Sequence, residues 1–409
     1  MFLYNVLIKI YYLIILTASP FNNKAKLWIK GRKNLFNKLQ GLDLQNQKVA
    51  WFHAASLGEF EQGRPVIEAF KNKFKDYKII LTFFSPSGFE IRKNYKQADC
   101  VLYLPLDTKK NAKRFIEAIN PAIAFFIKYE FWYNHLKELQ KKQVPVILIS
   151  GIFREKQIFF LPVLRKFFNI PDLFNHFFVQ NKKSVDILAR HGYKNVTLIS
   201  DTRFDRVIKI AAESKIIKEV EEFSSGKMTI VAGSTWLRDE VMLIKLIKEK
   251  ESLKLIIAPH EIHEGHINQI EKLYDFKCIR FSSFDRYSGK EKILIIDNIG
   301  MLSSLYKYGT IAYIGGGFGK GIHNILEAAV YGIPVIFGPN YKKFNEAIEL
   351  INLNGAYSIL NYNELINIIT DFINTPDKIS ESGQICYNYV KNNEGSTDKI
   401  ISYIDNLIK

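Results

Sequence analysis

The chain is poor in cysteine, short of acids, and lacks the nucleotide and metal motifs that are easiest to read. Its three cysteines, Cys100, Cys278 and Cys386, lie far apart and form no CxxC pair. That excludes a disulfide framework and a paired-thiolate site, and leaves reduced, buried thiols as the expected state. Gly319-Lys320-Gly321 has neither the spacing nor the Lys-Ser/Thr pair of a Walker A loop. His260-Glu261-Ile262-His263 is one residue short of H-E-x-x-H, and His260, His263 and His266 at three-residue steps drift around a helix, so they converge poorly on a metal. No Ser–His–Asp order, short-period repeat or low-complexity tract is evident.

The deficit of acids has a counterpart. Asp and Glu number 41 against 57 Lys and Arg, giving a formal net charge of +16. A surplus of this size points to an anionic partner: nucleic acid, a membrane surface or an acidic substrate. Much of it follows the apolar stretch Phe2–Ala18, where Lys24, Lys26, Lys30, Arg32, Lys33 and Lys38 precede the first acid, Asp43. At about 1.5 Å per residue the stretch is marginal against a hydrocarbon core of roughly 30 Å. With a basic flank it reads as a membrane anchor or deeply inserted helix on the cytoplasmic side, and anionic lipid suits the charge better than nucleic acid. An apolar helix packed on the protein itself is the alternative.

Beyond the basic flank, short apolar runs alternate with amphipathic stretches. Strands are expected at 49–53, 79–84, 100–104, 122–127, 146–150, 177–180 and 196–199, and again at 229–232, 253–258, 292–296, 310–314 and 334–337. Helical patterns between them, such as Glu59–Phe74 and Thr108–Ile119, make this a βαβα series, the mark of mostly parallel sheets covered on both faces. The expected division is an anchor and basic flank over 1–34, an α/β domain over 35–205, a polar linker over 206–226, a second α/β domain over 227–385 and a C-terminal helix over 386–409. Two such domains make a natural ligand cleft.

The turns that follow the expected strands hold the candidate chemistry. After Trp51–His53, small residues lead through Ser56 to Gly58 and Glu59, a first-turn carboxylate that serves either as a helix-start residue or as a general base. Ser85 and Ser87, in Ser85-Pro86-Ser87-Gly88, read as an N-cap or as part of an anion site. Glu130, beside Phe131 and Trp132, is a substrate contact or an ion-pair partner. Ser234 ends a strand in Gly233-Ser234-Thr235, and His260 is a candidate nucleotide contact. Around Gly315-Gly316-Gly317, a strand, glycine turn and helix place Gly316, Gly317, Asn324 and Glu327 where a phosphate and ribose would bind.

Together these segments resemble the 3-deoxy-D-manno-octulosonic acid (Kdo) transferases of lipid A biosynthesis. The likeness spans nearly the whole chain, through HAASLGEF, FSPSGFE, EFWYN, SDTRFDRV, AGSTW, GGGFGKGIHNILEAA and FGPNYKKFNEA. It implies a GT-B fold, two Rossmann-like domains facing a cleft, and inverting transfer of Kdo from CMP-Kdo to the tetraacyldisaccharide lipid A precursor at the inner membrane. It implies Glu59 as general base, Glu130 as a second active-site acid, and Ser234, His260, Gly316, Gly317, Asn324 and Glu327 on the donor side, with Ser56, Gly58, Ser85 and Ser87 as acceptor or anion contacts. No cofactor is implied, because the donor's single phosphate leaves no diphosphate for a metal to bridge. Two departures stand out: Pro259-His260-Glu261 where the family commonly has Pro-Arg-His, and Ile322 where it commonly has glycine. A GT-B enzyme with another nucleotide-sugar donor and a non-catalytic membrane-attached nucleotide-binding protein are the alternatives.

Overall fold

Apolar runs too short for a helix and flanked by small-residue turns become strands buried on both faces. The structure, a computed structural model, describes residues 2–161, 169–275 and 277–408. Met1–Arg203 with Gly395–Lys409 makes one unit, and Phe204–Glu394 makes the other. The first unit contains β1 Lys48–Ala54, β2 Tyr77–Phe83, β3 Cys100–Tyr103, β4 Ile123–Ile127, β5 Val146–Gly151, β6 His176–Val179 and β7 Val196–Leu198. Their order is β3-β2-β1-β4-β5-β6-β7. The second contains β8 Met228–Thr235, β9 Leu253–Pro259, β10 Ile279–Arg280, β11 Ile293–Ile295, β12 Ile311–Ile314, β13 Val335–Phe337 and β14 Ala356–Ser358, ordered β10-β11-β9-β8-β12-β13-β14. Every pairing described is parallel. The expected pair of Rossmann-like α/β domains is therefore present.

Each sheet is wound in two directions. The chain moves outward from β1 through β2 and β3, then returns to place β4 on the other side of β1; β8 and β12 repeat this in the second unit. Alternation along β1 fills both faces: Trp51 packs with Phe115 and Phe126 on one side, Phe52 with Phe70 and Phe125 on the other.

Two segments differ from the sequence expectation. The polar, charged stretch read as a linker over 206–226 is helical, but it does not stand apart from the domains: helices Arg203–Ala212 and Lys218–Ser224 send Phe204, Val207, Val220 and Phe223 into the core of the second unit. The C-terminal helix expected over 386–409 is instead the end of Pro376–Asn392 and a separate helix, Ser396–Ile408, with Gly395 at φ +95° between them. Ile400, Ile401 and Ile404 bury that last helix in the first unit, so the chain returns to where it began.

Phe2–Ala18 is helical, and among the described residues no helix is long and apolar enough to cross a membrane. One face of this helix packs on the first unit: the Tyr4 hydroxyl donates to Asp107 Oδ2 at 2.5 Å, Asn134 Nδ2 donates to Asn5 Oδ1 at 3.0 Å, and Tyr11 stacks near Phe84. Leu3, Leu7, Ile10, Leu13, Ile14 and Leu16 stay exposed. Arg32, read from sequence as part of the basic flank, turns inward. It donates to the carbonyls of Leu104 and Phe84, lies 3.6 Å from the Trp28 ring centroid, and is lowered to about 9 by burial.

Asp107 is the fully buried hub of this docking. It accepts from the Tyr4 hydroxyl and from the N–H groups of Asn134 and His135, and it lies 2.5 Å from His135 Nδ1. Burial alone would raise its carboxyl; the His135 charge and these donors outweigh that and hold it below the ordinary range. A depressed carboxylate stabilises above its unfolded pKa of about 3.9 and loses that contribution as pH falls through the folded value. Asp107→Ala is therefore expected to cost about 3–5 kcal/mol at pH 7, with a smaller deficit at pH 3. Urea unfolding at both pH values checks this, and limited proteolysis of the variant should release the N-terminal helix.

Candidate active site

In the first unit the loops that leave β1 and β4 meet where the strand order reverses. Ser56 is the N-cap of helix Leu57–Lys73. Glu59 turns back, and its Oε2 accepts from the backbone N–H groups of Ala55 at 2.6 Å and Ser56 at 3.2 Å. The carboxylate is thus both a cap and held in one orientation by two N–H donors. Its pKa is raised to about 7, first by burial and then by the negative charge of Glu130, against the opposing pull of the Ala55 N–H, Lys128 and the Ser56 N–H. Gly58 leaves open space: a Cβ there would meet nothing within 4 Å.

After β4, Lys128 takes a left-handed φ of +70° and bends the chain so that Glu130 returns toward β1. The Trp132 indole donates to Glu130 Oε2 at 2.5 Å, and His53 Nε2 lies 3.0 Å from the same oxygen. His53 and Thr82 are register partners on β1 and β2, which puts the imidazole Nδ1 2.9 Å from Thr82 Oγ1. Trp51 Nε1 donates to that hydroxyl at 2.8 Å. Tyr133 occupies the first position of helix Tyr133–Lys141. Ser85 acts as the N-cap: its Oγ accepts from Ser87 N, and its own N–H donates to Ala55 O at 2.7 Å, tying the β2 turn to the β1 turn.

The second unit repeats the arrangement at β8 and β12. Ser234 sits at φ +53° in a register shift between Gly233 and Thr235. Asp239, in the first turn of helix Leu237–Glu249, accepts from Trp236 N at 3.0 Å, Gly316 N at 3.1 Å and the Tyr313 hydroxyl at 2.7 Å. The glycine turn is therefore not a row of bare N–H groups as the sequence pattern implied; the Gly316 N–H is already taken by a capping carboxylate. Gly317 is required sterically, since a Cβ would come within 2.6 Å of Gly338 N.

Beside this turn lies a cavity of about 590 Å³ lined by Trp236, Arg238, His260, Phe318, Lys320 and His323 among others. His260 stacks on Trp236 with centroids 4.6 Å apart and faces His323 at 4.7 Å. Burial, and then the charge of His260, lowers His323 to about 4, so it is neutral at pH 7. Arg238 and Lys320 bring cationic side chains to the lining of this cavity. Ile322, the other departure, points into the hydrophobic core, leaving Gly321 at φ +140° to make the turn. Asn324 and Glu327 are not among the cavity's lining residues. Asn324 Nδ2 donates to Glu327 Oε1 at 3.0 Å, and burial raises Glu327 despite Asn324 and the Arg206 charge. His263 Nδ1 caps its helix by accepting from the His266 N–H, His266 Nε2 lies 3.0 Å from Glu240 Oε1 and His260 stacks on Trp236; among the described residues no group of three His, Cys, Asp or Glu is placed to hold a metal.

The sequence reading missed Thr82, Trp132, Asp239, Arg238 and His323 as site groups, and treated His53 only as a strand end. Asp239 carried a signal, an acid three residues past an N-cap position. The others depend on strand register and turn geometry, which spacing does not give.

The chain is similar to known proteins over most of its length. A family model described as 3-deoxy-D-manno-octulosonic-acid transferase (kdotransferase) matches residues 30–206. The 3-deoxy-D-manno-octulosonic acid transferase of Aquifex aeolicus (strain VF5) is 32% identical over 344 residues, covering 82% of this chain and 89% of that protein. The transferase of the same name from Rickettsia bellii (strain RML369-C) is 24% identical over 414 residues, covering 98% and 97%. Among solved structures, a glycosyltransferase from Rickettsia africae ESF-5 superposes with a TM-score of 0.56 at 14% identity, over 89% of this chain and 99% of that one, a likeness of fold. With the fold GT-B-like and the relatives matched over most of their length, the chain belongs to the Kdo transferase family of glycosyltransferases.

Proposed function

We propose that the protein moves Kdo from CMP-Kdo to the tetraacyldisaccharide lipid A precursor, with inversion, at the cytoplasmic face of the inner membrane. The observation that carries this reading is Glu59: a carboxylate raised to about 7, anchored by two backbone N–H groups at the strand-order reversal. As base it takes the proton of an acceptor hydroxyl while that oxygen attacks the anomeric carbon of Kdo. The C–O bond to phosphate breaks as the new one forms, and CMP leaves with the electron pair. One displacement of this kind inverts the carbon. Arg238 and Lys320 give the second unit's cavity the charge to receive a single nucleotide phosphate. The reading uses no metal, because the donor has no diphosphate to chelate.

The membrane half rests on the exposed stripe of Leu3, Leu7, Ile10 and Ile14 on a helix pinned along its other face. On this reading the exposed apolar face sits in the headgroup region while the other face stays pinned to the protein. The nearby Lys24, Lys26, Lys30 and Lys33 suit anionic headgroups. Nucleic acid is not part of this reading.

Four outcomes are expected. Glu59→Gln should reduce transfer by about 10²-fold or more, read by mass spectrometry of the lipid product, while CMP binding persists; full turnover would remove Glu59 as base. Because the base must be ionised, wild-type kcat should rise with pH through the neighbourhood of 7. CMP should raise Tm and UDP should not; the reverse would assign a UDP-sugar donor. Leu7→Glu with Ile14→Glu should abolish sedimentation with anionic vesicles and leave Tm nearly unchanged, since both side chains are already exposed.

A further inference from the structure

We propose that Thr82 and His53 are positioning residues: a one-way hydrogen-bond relay from Trp51 through them holds Glu130 as the anion facing the base Glu59. The inference rests on the role of Glu59 argued above, and its parts lie wholly within the first unit.

The direction of the relay follows from counting protons. The Trp51 indole can only donate, and it donates to Thr82 Oγ1 at 2.8 Å. The Thr82 hydroxyl proton must then go elsewhere, and the acceptors within reach are His53 Nδ1 at 2.9 Å and the Phe52 carbonyl at 3.4 Å. The nearer one is the imidazole. A His53 ring that accepts at Nδ1 carries its proton on Nε2, which then donates to Glu130 Oε2 at 3.0 Å. The Trp132 indole donates to the same oxygen. Two N–H donors on one oxygen suit a carboxylate and not the hydroxyl of an acid. Trp51, His53 and Thr82 are fully buried, so water does not compete for these bonds.

A second arrangement is available to the same atoms. His53 Nδ1 also lies 3.1 Å from the Thr82 carbonyl, and Trp132 Nε1 lies 3.0 Å from His53 Nε2. If Nδ1 carried the proton, it would donate to that carbonyl, and Nε2 would turn a lone pair toward Glu130. Glu130 would then lose the His53 donor, and the Trp132 indole would be drawn to Nε2, so fewer donors would hold its anionic form. The Thr82 hydroxyl is what separates the two states, since it stabilises the unprotonated Nδ1.

The consequence reaches Glu59 through charge. Glu59 faces Glu130 and Lys128 from the β4 loop and the N–H groups of Ala55 and Ser56 from its own turn; Glu130 also faces His53, Trp132 and the Tyr4 hydroxyl. Neutralising Glu130 removes the like charge that raises Glu59, so the base becomes weaker and ionises at lower pH. Thr82→Val removes the hydroxyl; Thr82→Ser keeps it.

The test has two arms. With CMP-Kdo and the lipid precursor, Thr82→Val should move the acid limb of kcat down by about one pH unit and lower its plateau, whereas Thr82→Ser should match wild type. A simple packing defect would lower kcat without moving the limb, and that result overturns the proposal. The second arm is ¹⁵N NMR of histidine-labelled wild-type protein, with His53 identified by its proximity to the Trp132 indole proton. A protonated Nε2 and bare Nδ1 are expected, and a proton on Nδ1 overturns the relay. This arm needs neither turnover nor a variant. If wild type transfers no Kdo, the proposed reaction fails while the tautomer still decides the relay.

Discussion

When the strand order of a parallel sheet reverses, the loops on either side of the reversal run to opposite faces and leave a crevice at the strand ends. That constraint organises both units of this protein. β1 and β4 flank the reversal in the first unit, β8 and β12 in the second. The loops at those ends hold Glu59 and Glu130 in one case, and Ser234, Asp239 and the glycine turn in the other. Neither set is contiguous in sequence. Each is assembled because the backbone ladder fixes which strand ends are neighbours, and the register then fixes which side chains meet. His53 reaches Thr82 only because β1 and β2 pair with those residues opposite one another.

The two crevices use one local device for different ends. In each, an acid in the first turn of the following helix folds back onto backbone N–H groups: Glu59 onto Ala55 and Ser56, Asp239 onto Trp236 and Gly316. Asp239 also takes the Tyr313 hydroxyl and so spends its acceptors on holding strand end, helix start and glycine turn together. Glu59 is crowded by burial and by a second carboxylate instead, which makes it a stronger base. Capping and the proposed role of Glu59 as base are therefore not rival descriptions. The cap supplies orientation, and the surrounding charge supplies basicity.

This is why the fold was more legible than the site. Strand runs are local and periodic, so the βα alternation and the parallel sheets followed from pattern. Short strands such as Ile279–Arg280 and Ala356–Ser358 did not, because they are too brief to show a period. The helices of 203–224 look like a polar linker, since only Phe204, Val207, Val220 and Phe223 reveal their buried face. At the site, spacing singled out Glu59, Glu130 and the glycine turn but left their roles open. Whether Ile322 meets a ligand or the core, and whether the Gly316 N–H is bare or bonded, depends on a turn whose geometry is set by residues on another strand. The departure at Ile322 lost its significance once its side chain was seen in the core.

The N-terminal helix adds a further constraint within the first unit. Its attachment runs through buried hydrogen bonds and not through a pliant linker: Tyr4 to Asp107, Asp107 to the backbone of Asn134 and His135, and Asn134 to Asn5. Those residues start the helix that follows Trp132, whose indole holds Glu130. The exposed apolar stripe and the active-site acid are thus joined by a short series of rigid contacts. On the membrane reading, that rigidity fixes the height of Glu130 and Glu59 above the bilayer surface. A lipid acceptor cannot leave the bilayer without exposing its acyl chains, so its hydroxyl is available only within a narrow range of heights. A flexible anchor would spread the enzyme over many heights and leave the alignment to chance. On that reading a pinned helix does the alignment in advance, and Asp107 would serve the proposed reaction through this docking although it touches neither sugar nor nucleotide.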